Sequence, residues 1–305
     1  MAESGIFIRH SKAAKKKAAP SSLPLVRTGI PSLDHIFQGG LPLSSIVLIQ
    51  EDSLNYQSLQ IARCFLGEGV INSEKIFVYS DAYEENLVPD IRKIKKQESA
   101  ELRIAWRYEH YPQTSSVKEP YAFDLLKSMG NEKINQYTID VTEQDLYRKL
   151  WSQIFSDIQN SLESANDTGI RRIFIKSFLG PSWPKAPISE IFQFLQSLKL
   201  LVKSLNAICM ITSLTSGLET ELVTLLNQSC DIVLSTENFA ISGDSFGDYS
   251  GLLRIIKCPR IHSLKNIDFD ALAFGIKLDR RHIAVESLSL PPADSLVPTK
   301  ESMEF

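Results

Sequence analysis

Hydrophobic residues along the chain form short continuous runs that alternate with amphipathic stretches. Short continuous apolar runs are typical of strands buried on both faces of a parallel sheet. The runs lie at residues 45–49, 75–80, 172–176, 207–212 and 231–235. Helical periodicity appears between them, at residues 58–67, 142–162, 188–205 and 219–228. Strands that alternate with helices in this way predict βαβ units and an α/β fold with a mostly parallel central sheet.

The C-terminal part of the folded region has a different pattern. Residues 251–257 predict another strand, and the runs 273–278 and 283–288 flank a short polar sequence, Asp-Arg-Arg-His. Two strands around a short polar connection predict an antiparallel hairpin. A parallel α/β core followed by a C-terminal antiparallel extension is the RecA-type arrangement, which other α/β folds share.

The same pattern predicts the limits of the folded domain. Residues 1–24 form a basic tail, and residues 291–305 are rich in Pro, Ser and acidic residues, so both are expected to be disordered. The lysines of the first tail are either a nuclear-import or RNA-contacting element or part of a solvated segment. The folded domain is predicted to span residues 25–290. Within it, the segment 84–140 has the poorest periodicity and is predicted to be an insertion on the core.

Composition narrows the classes of function. A chain of 305 residues with 43% hydrophobic content suffices for one large domain, and a net charge of -3 restricts any nucleic-acid contact to a local patch. No apolar stretch approaches the roughly 20 residues that cross a bilayer, and no signal-peptide pattern is present. The four cysteines are widely spaced, and three are predicted to be reduced core residues, which indicates a cytoplasmic or nuclear protein. No spacing of His, Cys, Ser or acidic residues predicts a catalytic set or a metal site.

The most informative segment precedes and follows the first predicted strand. Residues 28–34 contain Thr-Gly and Leu-Asp, and residues 39–42 read Gly-Gly-Leu-Pro. This opening motif is similar to that of the RecA and KaiC families, in which the first strand leads into a phosphate loop, G-x-x-x-x-G-K-[ST]. In that loop the glycines let backbone N–H groups surround the phosphates, the Lys neutralises them, and the hydroxyl holds magnesium.

The corresponding residues here, 51–58, form what we call the degenerate phosphate loop. Glu51 and Tyr56 stand where glycines are needed, Gln57 stands where the Lys is needed, and only Ser58 fits. At an effective dielectric constant of about 20, one misplaced charge about 4 Å from a phosphate costs about 4 kcal/mol. That cost corresponds to roughly three orders of magnitude in nucleotide affinity. The sequence therefore predicts that this chain alone holds no nucleotide and has no catalytic residue.

The second signature of a nucleotide site is also altered. The third strand should end in an Asp that positions magnesium, and it ends in Ser177. RecA-like ATPases often place a catalytic Glu just after the second strand, where Asp81, Glu84 and Glu85 lie. These three acids are either a remnant of that function or ordinary solvated loop residues.

Taken together, these motifs resemble the PAXNEB family of Elongator subunits. The resemblance covers about residues 25–290. The segments that carry it are residues 28–34, 39–42, the degenerate phosphate loop, 102–108, 172–181, 251–253 and the final hairpin. It implies a RecA-like P-loop-type fold, a C-terminal antiparallel hairpin and a non-catalytic subunit.

The resemblance also implies partners and a process. Family members form a heterohexameric ring with two paralogues, Elongator complex proteins 5 and 6. The ring joins the rest of Elongator, binds tRNA and supports modification of the wobble uridine, whose chemistry lies in another subunit. We therefore expect a protein of the cytoplasm and nucleus, with no cofactor in this chain alone and ATP at the subunit boundaries of the ring as an open alternative.

In RecA-like rings the loops near the later strands face the central pore. The candidate tRNA-contacting residues in that region are Arg254, Lys257, Arg260 and Lys265. The segment 102–108 also interleaves arginines with Trp106 and Tyr108, which can stack bases, although its alternation favours an edge strand with the arginines in solvent.

Two further groups are candidates for contacts between subunits. Phe178, Leu179 and Trp183 lie in a loop that is too apolar for ordinary exposure, so they either form an interface or fold back onto the core. Arg280 and Arg281 lie in the predicted hairpin turn and either reach a neighbouring subunit or serve only as turn residues.

Three functions compete at this point. The first is a scaffold and tRNA-binding subunit of Elongator. The second is a divergent ring ATPase that binds nucleotide at subunit boundaries, and the third is a recombinase-like ring protein that acts on DNA. The missing Lys and glycines count against the second function, and the segment 102–108 counts against the third.

Overall fold

The computed structural model of the chain describes residues 24–54, 56–93, 121–140, 145–162, 169–242, 248–258 and 273–288. Several predictions fall on other residues. They concern the C-terminal tail, residues 1–23 of the N-terminal tail, the start of the helix predicted at 142–162, the segment 102–108, and the candidate tRNA contacts Arg260 and Lys265. These predictions lie outside the described residues.

The described residues form thirteen strands and six α-helices. The strands are β1 (Leu25–Val26), β2 (Leu41–Pro42), β3 (Ile46–Glu51), β4 (Lys75–Ser80), β5 (Pro89–Lys93), β6 (Tyr121–Ser128), β7 (Asn135–Thr138), β8 (Arg171–Ile175), β9 (Ala207–Leu214), β10 (Ile232–Asn238), β11 (Gly251–Lys257), β12 (Ala273–Leu278) and β13 (Ile283–Ser287). The helices are α1 (Pro31–Ile36), α2 (Tyr56–Ile71), α3 (Leu146–Leu162), α4 (Ile188–Ser204), α5 (Thr220–Ser229) and α6 (Phe239–Ser242).

A nine-stranded sheet forms the centre of the fold, in the order β13-β12-β11-β10-β3-β9-β8-β4-β7. The strands from β10 to β7 are parallel, whereas β11, β12 and β13 continue the sheet in antiparallel pairs. The five parallel strands predicted from the sequence lie in the spatial order fifth, first, fourth, third, second. The predicted α/β class, the mostly parallel sheet and the C-terminal hairpin are confirmed.

Two hydrophobic clusters cover the two faces of this sheet. Val47 and Ile49 of β3 point into the cluster that contains α2, and Ile46 and Leu48 point into the cluster that contains α3, α4 and α5. Because successive side chains of a strand point to opposite faces, a strand covered on both sides must be apolar throughout. This requirement explains the continuous apolar runs in the sequence.

The opening motif is a structural element that docks onto α2. The backbone N–H and the hydroxyl of Thr28 both donate to Oδ1 of Asp34, each at 2.7 Å. Gly29 has a φ of 84°, and a Cβ atom at this position would lie 2.4 Å from the carbonyl oxygen of Cys64 in α2. Only glycine fits here, since it tolerates a positive φ and permits this close approach.

The predicted insertion at 84–140 is more closely integrated than expected. Strands β5 and β6 form a separate antiparallel pair, and Phe123 of β6 is buried against α2. Strand β7 pairs in parallel with β4 and extends the central sheet. The last part of this segment therefore belongs to the core, a role that its polar sequence, Asn-Gln-Tyr-Thr, did not indicate.

Candidate functional site

The candidate site lies at the carboxyl end of β3. The connection from β3 to β4 passes through α2 on one face of the sheet, and the connection from β9 to β10 passes through α5 on the other. In open α/β sheets, ligands bind outside the carboxyl ends of the strands where the direction of the connections reverses. The fold therefore places the degenerate phosphate loop at the position where a nucleotide site would be.

Glu51 is turned into the protein at this position. Its residue is only 6% exposed, and its Oε1 accepts a hydrogen bond of 3.3 Å from the hydroxyl of Ser58 in the first turn of α2. The hydroxyl of Thr212, on β9, donates to the same carboxyl group, and Lys176 lies close enough to stabilise its charge. Burial raises the pKa of the Glu51 carboxyl group, and these hydrogen bonds and Lys176 oppose that rise.

Gln57, at the position of the missing Lys, is also buried. It is 1% exposed, and its Nε2 donates to the carbonyl oxygen of Ser250 at 3.0 Å. A Cβ atom on Gly251 would lie 2.2 Å from this Nε2, so the glycine makes room for the Gln57 amide. Within the described residues, Oε1 of Gln57 has no hydrogen-bond partner. The side chain is therefore directed toward β11.

Other residues of the loop region are bonded to neighbouring strands and helices. Oδ2 of Asp52 accepts from the backbone N–H of Asn238 at 2.7 Å, and Nε2 of Gln50 donates to Asn227 at 2.8 Å. Leu54 and Tyr56, in contrast, are about half exposed, at 49% and 52%. Among the described residues, Gln50, Asp52 and Gln57 are thus bonded within the protein, whereas Leu54 and Tyr56 face outward.

The residues at the carboxyl end of β8 are also bonded to neighbouring elements of the protein. Ser177 has a φ of 47°, and its backbone N–H donates to the Thr212 hydroxyl at 3.0 Å. Lys176 forms an ion pair with Glu84. Of the other two acids after β4, Asp81 accepts from Ser182 at 3.1 Å and Glu85 is exposed. Glu84 is therefore engaged in an ion pair rather than free to activate water.

The apolar loop after β8 folds back onto the core, which was the second of the two interpretations. Phe178 is fully buried, Trp183 is 6% exposed, and Leu179 also belongs to the buried cluster. The ring centroids of Phe178 and Trp183 lie 5.1 Å apart in an edge-to-face arrangement. Leu179 and Trp183 line an open pocket of about 450 Å³. A subunit contact through these residues would use that pocket and not an exposed apolar patch.

The two described candidates for tRNA contact, Arg254 and Lys257, differ in whether their charged group is free to bind a phosphate. Arg254 is exposed and forms an ion pair of 2.9 Å with Glu237. Lys257 instead donates to the carbonyl oxygens of Asn227, Gln228 and Cys230 at 2.9, 3.0 and 2.5 Å. An ammonium group has three N–H donors, and here all three cap the C-terminus of α5, so none is left for a phosphate. Arg254 remains a candidate, and Lys257 is better explained as a capping residue.

Arg280 and Arg281 lie in the connection between β12 and β13, with exposed side chains. The backbone carbonyl of Arg281 accepts a hydrogen bond of 2.8 Å from the N–H of Leu125 in β6. The turn is therefore anchored through its backbone, and both guanidinium groups remain accessible to a neighbour.

Sequence reasoning missed the burial of two arginines, Arg171 and Arg172, at the start of β8. Arg172 of β8 is fully buried, and its guanidinium donates to the carbonyl oxygens of Arg27 and Phe65 at 2.9 and 2.8 Å. It also pairs with Glu74 and lies over the Phe65 ring. A charged residue at the start of an apolar strand is ordinarily exposed, so no local signal indicated that Arg172 links β8 to α2 and the opening motif.

Two further findings concern the described residues. No group of three or more His, Cys, Asp or Glu side chains among them is arranged to hold a metal ion. None of the helices that the structure describes has the length and apolar character to span a membrane.

Comparison with known proteins relates the chain to one protein family. The profile of the family described as PAXNEB protein matches residues 10–304. The chain is similar to Elongator complex protein 4 of Dictyostelium discoideum, with 27% identity over 89% of this chain and 75% of the relative. It is also similar to the proteins of that name from Xenopus laevis, with 28% identity over 94% and 86%, and from Homo sapiens, with 26% identity over 88% and 77%.

Proposed function

This chain belongs to the PAXNEB family, and on that basis we propose that it is a non-catalytic, RecA-like subunit of the Elongator complex. The relatives from three distant eukaryotes carry the name Elongator complex protein 4, and the chain spans three quarters or more of each of them. Matches of this extent include the whole described α/β core, so they support a shared assembly and not only a shared module.

The RecA-like assignment is supported by the arrangement of the sheet. A parallel core is followed by antiparallel strands β11 to β13, as the RecA-type arrangement requires. The Thr-Gly and Leu-Asp motif is built into the core through the bonds between Thr28 and Asp34. The degenerate phosphate loop lies between β3 and α2, which is the position of the phosphate loop in P-loop proteins.

One observation carries the non-catalytic assignment, namely that side chains of the chain itself fill the nucleotide position. Glu51 is hydrogen-bonded to Ser58, and Gln57 is directed toward β11. Lys176, whose charge favours ionised Glu51, is paired with Glu84. Such a site offers phosphate a buried carboxyl group in place of a free cation, which opposes binding.

In the assembly that we propose, the chain forms a heterohexameric ring with its paralogues, Elongator complex proteins 5 and 6. The ring binds tRNA and supports wobble-uridine modification in the cytoplasm and nucleus. Arg254, and Arg280 and Arg281 at the hairpin turn, have exposed side chains that suit contacts with RNA or with a neighbouring subunit. ATP at a subunit boundary is the alternative, in which a paralogue supplies the missing cation.

Affinity purification of the full chain from its native cells, followed by identification of the co-purifying proteins, tests Elongator membership. We expect the paralogous subunits and tRNA in the purified material. Recovery with a DNA recombination complex, or without any Elongator subunit, would contradict the proposal.

Calorimetric titration of the purified chain with magnesium-ATP tests the non-catalytic assignment separately. We expect no measurable binding heat and no release of phosphate. Micromolar binding by the chain alone would favour the ring ATPase, and binding only after reconstitution with paralogues would place nucleotide at the subunit boundary.

A further inference from the structure

Four polar side chains from four different elements meet at the carboxyl end of β3. Glu51 ends that strand, Ser58 lies in the first turn of α2, Thr212 lies on β9, and Lys176 directly follows β8. Ser58 and Thr212 donate hydrogen bonds to the Glu51 carboxyl group, and Lys176 favours its charged form. These contacts form one cluster around a single carboxyl group, in which Glu51, Ser58 and Thr212 are buried and Lys176 is partly exposed.

The groups around Glu51 are those that ordinarily hold a phosphate. A helix N-terminus, hydroxyl donors and a lysine are the usual ligands of bound anions. The helix α2 has 16 residues and begins at this cluster. Ser58 is the one residue of the phosphate loop that this chain retains, and in the complete motif its hydroxyl faces the metal ion and phosphates.

We propose that Glu51 acts as an internal anion that occupies this phosphate position and keeps the site closed to phosphate-bearing ligands. The site is blocked by a side chain that hydrogen-bonds to the surviving donors. This inference rests on the proposal that the isolated chain binds no nucleotide, and it adds the contact responsible.

The contact acts in two ways. First, the carboxyl group occupies the space beside the Ser58 hydroxyl, to which it is hydrogen-bonded, and the Glu51 residue is only 6% exposed. When ionised it also repels a second anion. At an effective dielectric constant of about 20, a charge about 4 Å away lowers phosphate affinity by up to roughly a thousandfold.

Removal of Glu51 should restore anion binding but not a complete nucleotide site. Lys176 would lose one of its two acidic neighbours and keep the other, Glu84. Gln57 would stay bonded to Ser250 and still supply no cation. We therefore expect the variant to bind a small anion weakly, since only the hydroxyls, the helix N-terminus and one shared lysine are available.

The test uses the full chain with inorganic pyrophosphate as the probe and thermal unfolding as the readout. Glu51→Ala empties the position, and Glu51→Gln removes the charge but keeps the volume. Asp52→Asn is the matched control, because Asp52 is a carboxylate of the same loop that bonds to Asn238. At pyrophosphate concentrations about ten times the dissociation constant, Glu51→Ala should unfold about 2–3 °C higher than without the ligand.

The wild-type chain and Asp52→Asn should show no such shift, and Glu51→Gln should show a smaller one. A folded Glu51→Ala variant that responds no more than the wild type would overturn the proposal. If Glu51→Ala does not fold, the same conclusion follows from a Glu51→Gln variant that responds no more than Asp52→Asn. The magnesium-ATP titration of the wild type is a separate measurement, so failure of the proposed function and failure of this inference are distinguishable.

Discussion

At the scale of single residues, the candidate site is defined by what its polar side chains bond to. Glu51, Gln57 and Lys257 would all be expected at an exposed loop or strand end, and each is directed into the protein. Burial of a polar group is costly unless it is hydrogen-bonded, so each position required a specific partner elsewhere in the chain.

The burial of Glu51 predicts a pH-dependent effect of Glu51→Gln. The pKa of Glu51 is raised in the folded protein, so its contribution to stability is present below the unfolded pKa of about 4.5 and is lost as the pH rises through the folded pKa. The variant should therefore gain unfolding free energy relative to the wild type as the pH increases from 4 toward neutrality.

Urea unfolding at a series of pH values measures this difference. Glu85→Gln is the control for the change in net charge, because Glu85 is exposed in the same region. A Glu51→Gln difference that is constant across the pH range would contradict the prediction.

Lys257 gives a second prediction at this scale. Lys257→Met keeps the aliphatic part of the side chain but removes three hydrogen bonds to the carbonyl end of α5. We expect a loss of about 1–3 kcal/mol in unfolding free energy, because a charged group satisfies carbonyls that would otherwise be left without these donors. Urea unfolding measures this loss. Lys203 is an exposed lysine in the last turn of α4, so the control variant Lys203→Met should change the unfolding free energy by less than about 0.5 kcal/mol.

At the scale of elements, the contact between α2 and the start of β11 links the parallel core to its antiparallel extension. Gly251 opens β11, pairs with Asn238 of β10 and with Ile276 of β12, and leaves space for the Gln57 side chain. The first turn of α2 can be buried here only because the residue at this point of β11 has no side chain.

Gly251→Ala should therefore destabilise the protein. Its Cβ would lie 2.2 Å from Nε2 of Gln57 and 2.3 Å from the backbone carbonyl oxygen of Glu237, which cannot move without distorting β10. We expect a loss of about 1–3 kcal/mol by overpacking, measured by urea unfolding. Gly217→Ala is a matched control, since no atom lies within 4 Å of its Cβ, and an equal loss in both variants would refute this account.

Comparison of predicted and observed strands shows where the local hydrophobic pattern is enough to predict a strand and its limits. Strands β4, β11 and β12 were predicted with their observed limits. β4 is buried along nearly its whole length, whereas β11 buries the apolar side chains of one face and exposes Arg254 and Ile256 on the other. Strand β7 was missed because Asn135–Thr138 is polar and pairs with β4, a strand about 60 positions earlier in the chain. An edge strand needs little apolar surface, so its periodicity carries no signal.

At the scale of the whole molecule, a single sheet organises both a buried nucleotide position and the outward-facing residues that suit assembly. The exposed side chains of Tyr56, Arg254 and Arg280 lie at the start of α2, on β11 and in the turn between β12 and β13. A chain that keeps this fold while its degenerate phosphate loop is bonded within the protein fits the proposed role, in which it acts through its surface as a ring subunit.

We accordingly predict that the chain is not a stable monomer in cells. Native mass measurement of the endogenous complex should give a species far above the 34.3 kDa of one chain. Detection of only the free 34.3 kDa chain, with paralogues present in the same extract, would argue against assembly.

By itself, the sequence determined the α/β class, the order of the main core strands and helices, the family, and the loss of the phosphate-loop residues, because local periodicity and short motifs specify those features. The direction in which the polar residues point was decided only by the tertiary structure. Gln57 bonds to Ser250, 193 positions away, and Glu51 is held partly by Thr212 on another strand. A hydrogen bond needs a partner brought close by the whole fold, and for that reason only the structure shows which side chains of the degenerate phosphate loop are turned into the protein.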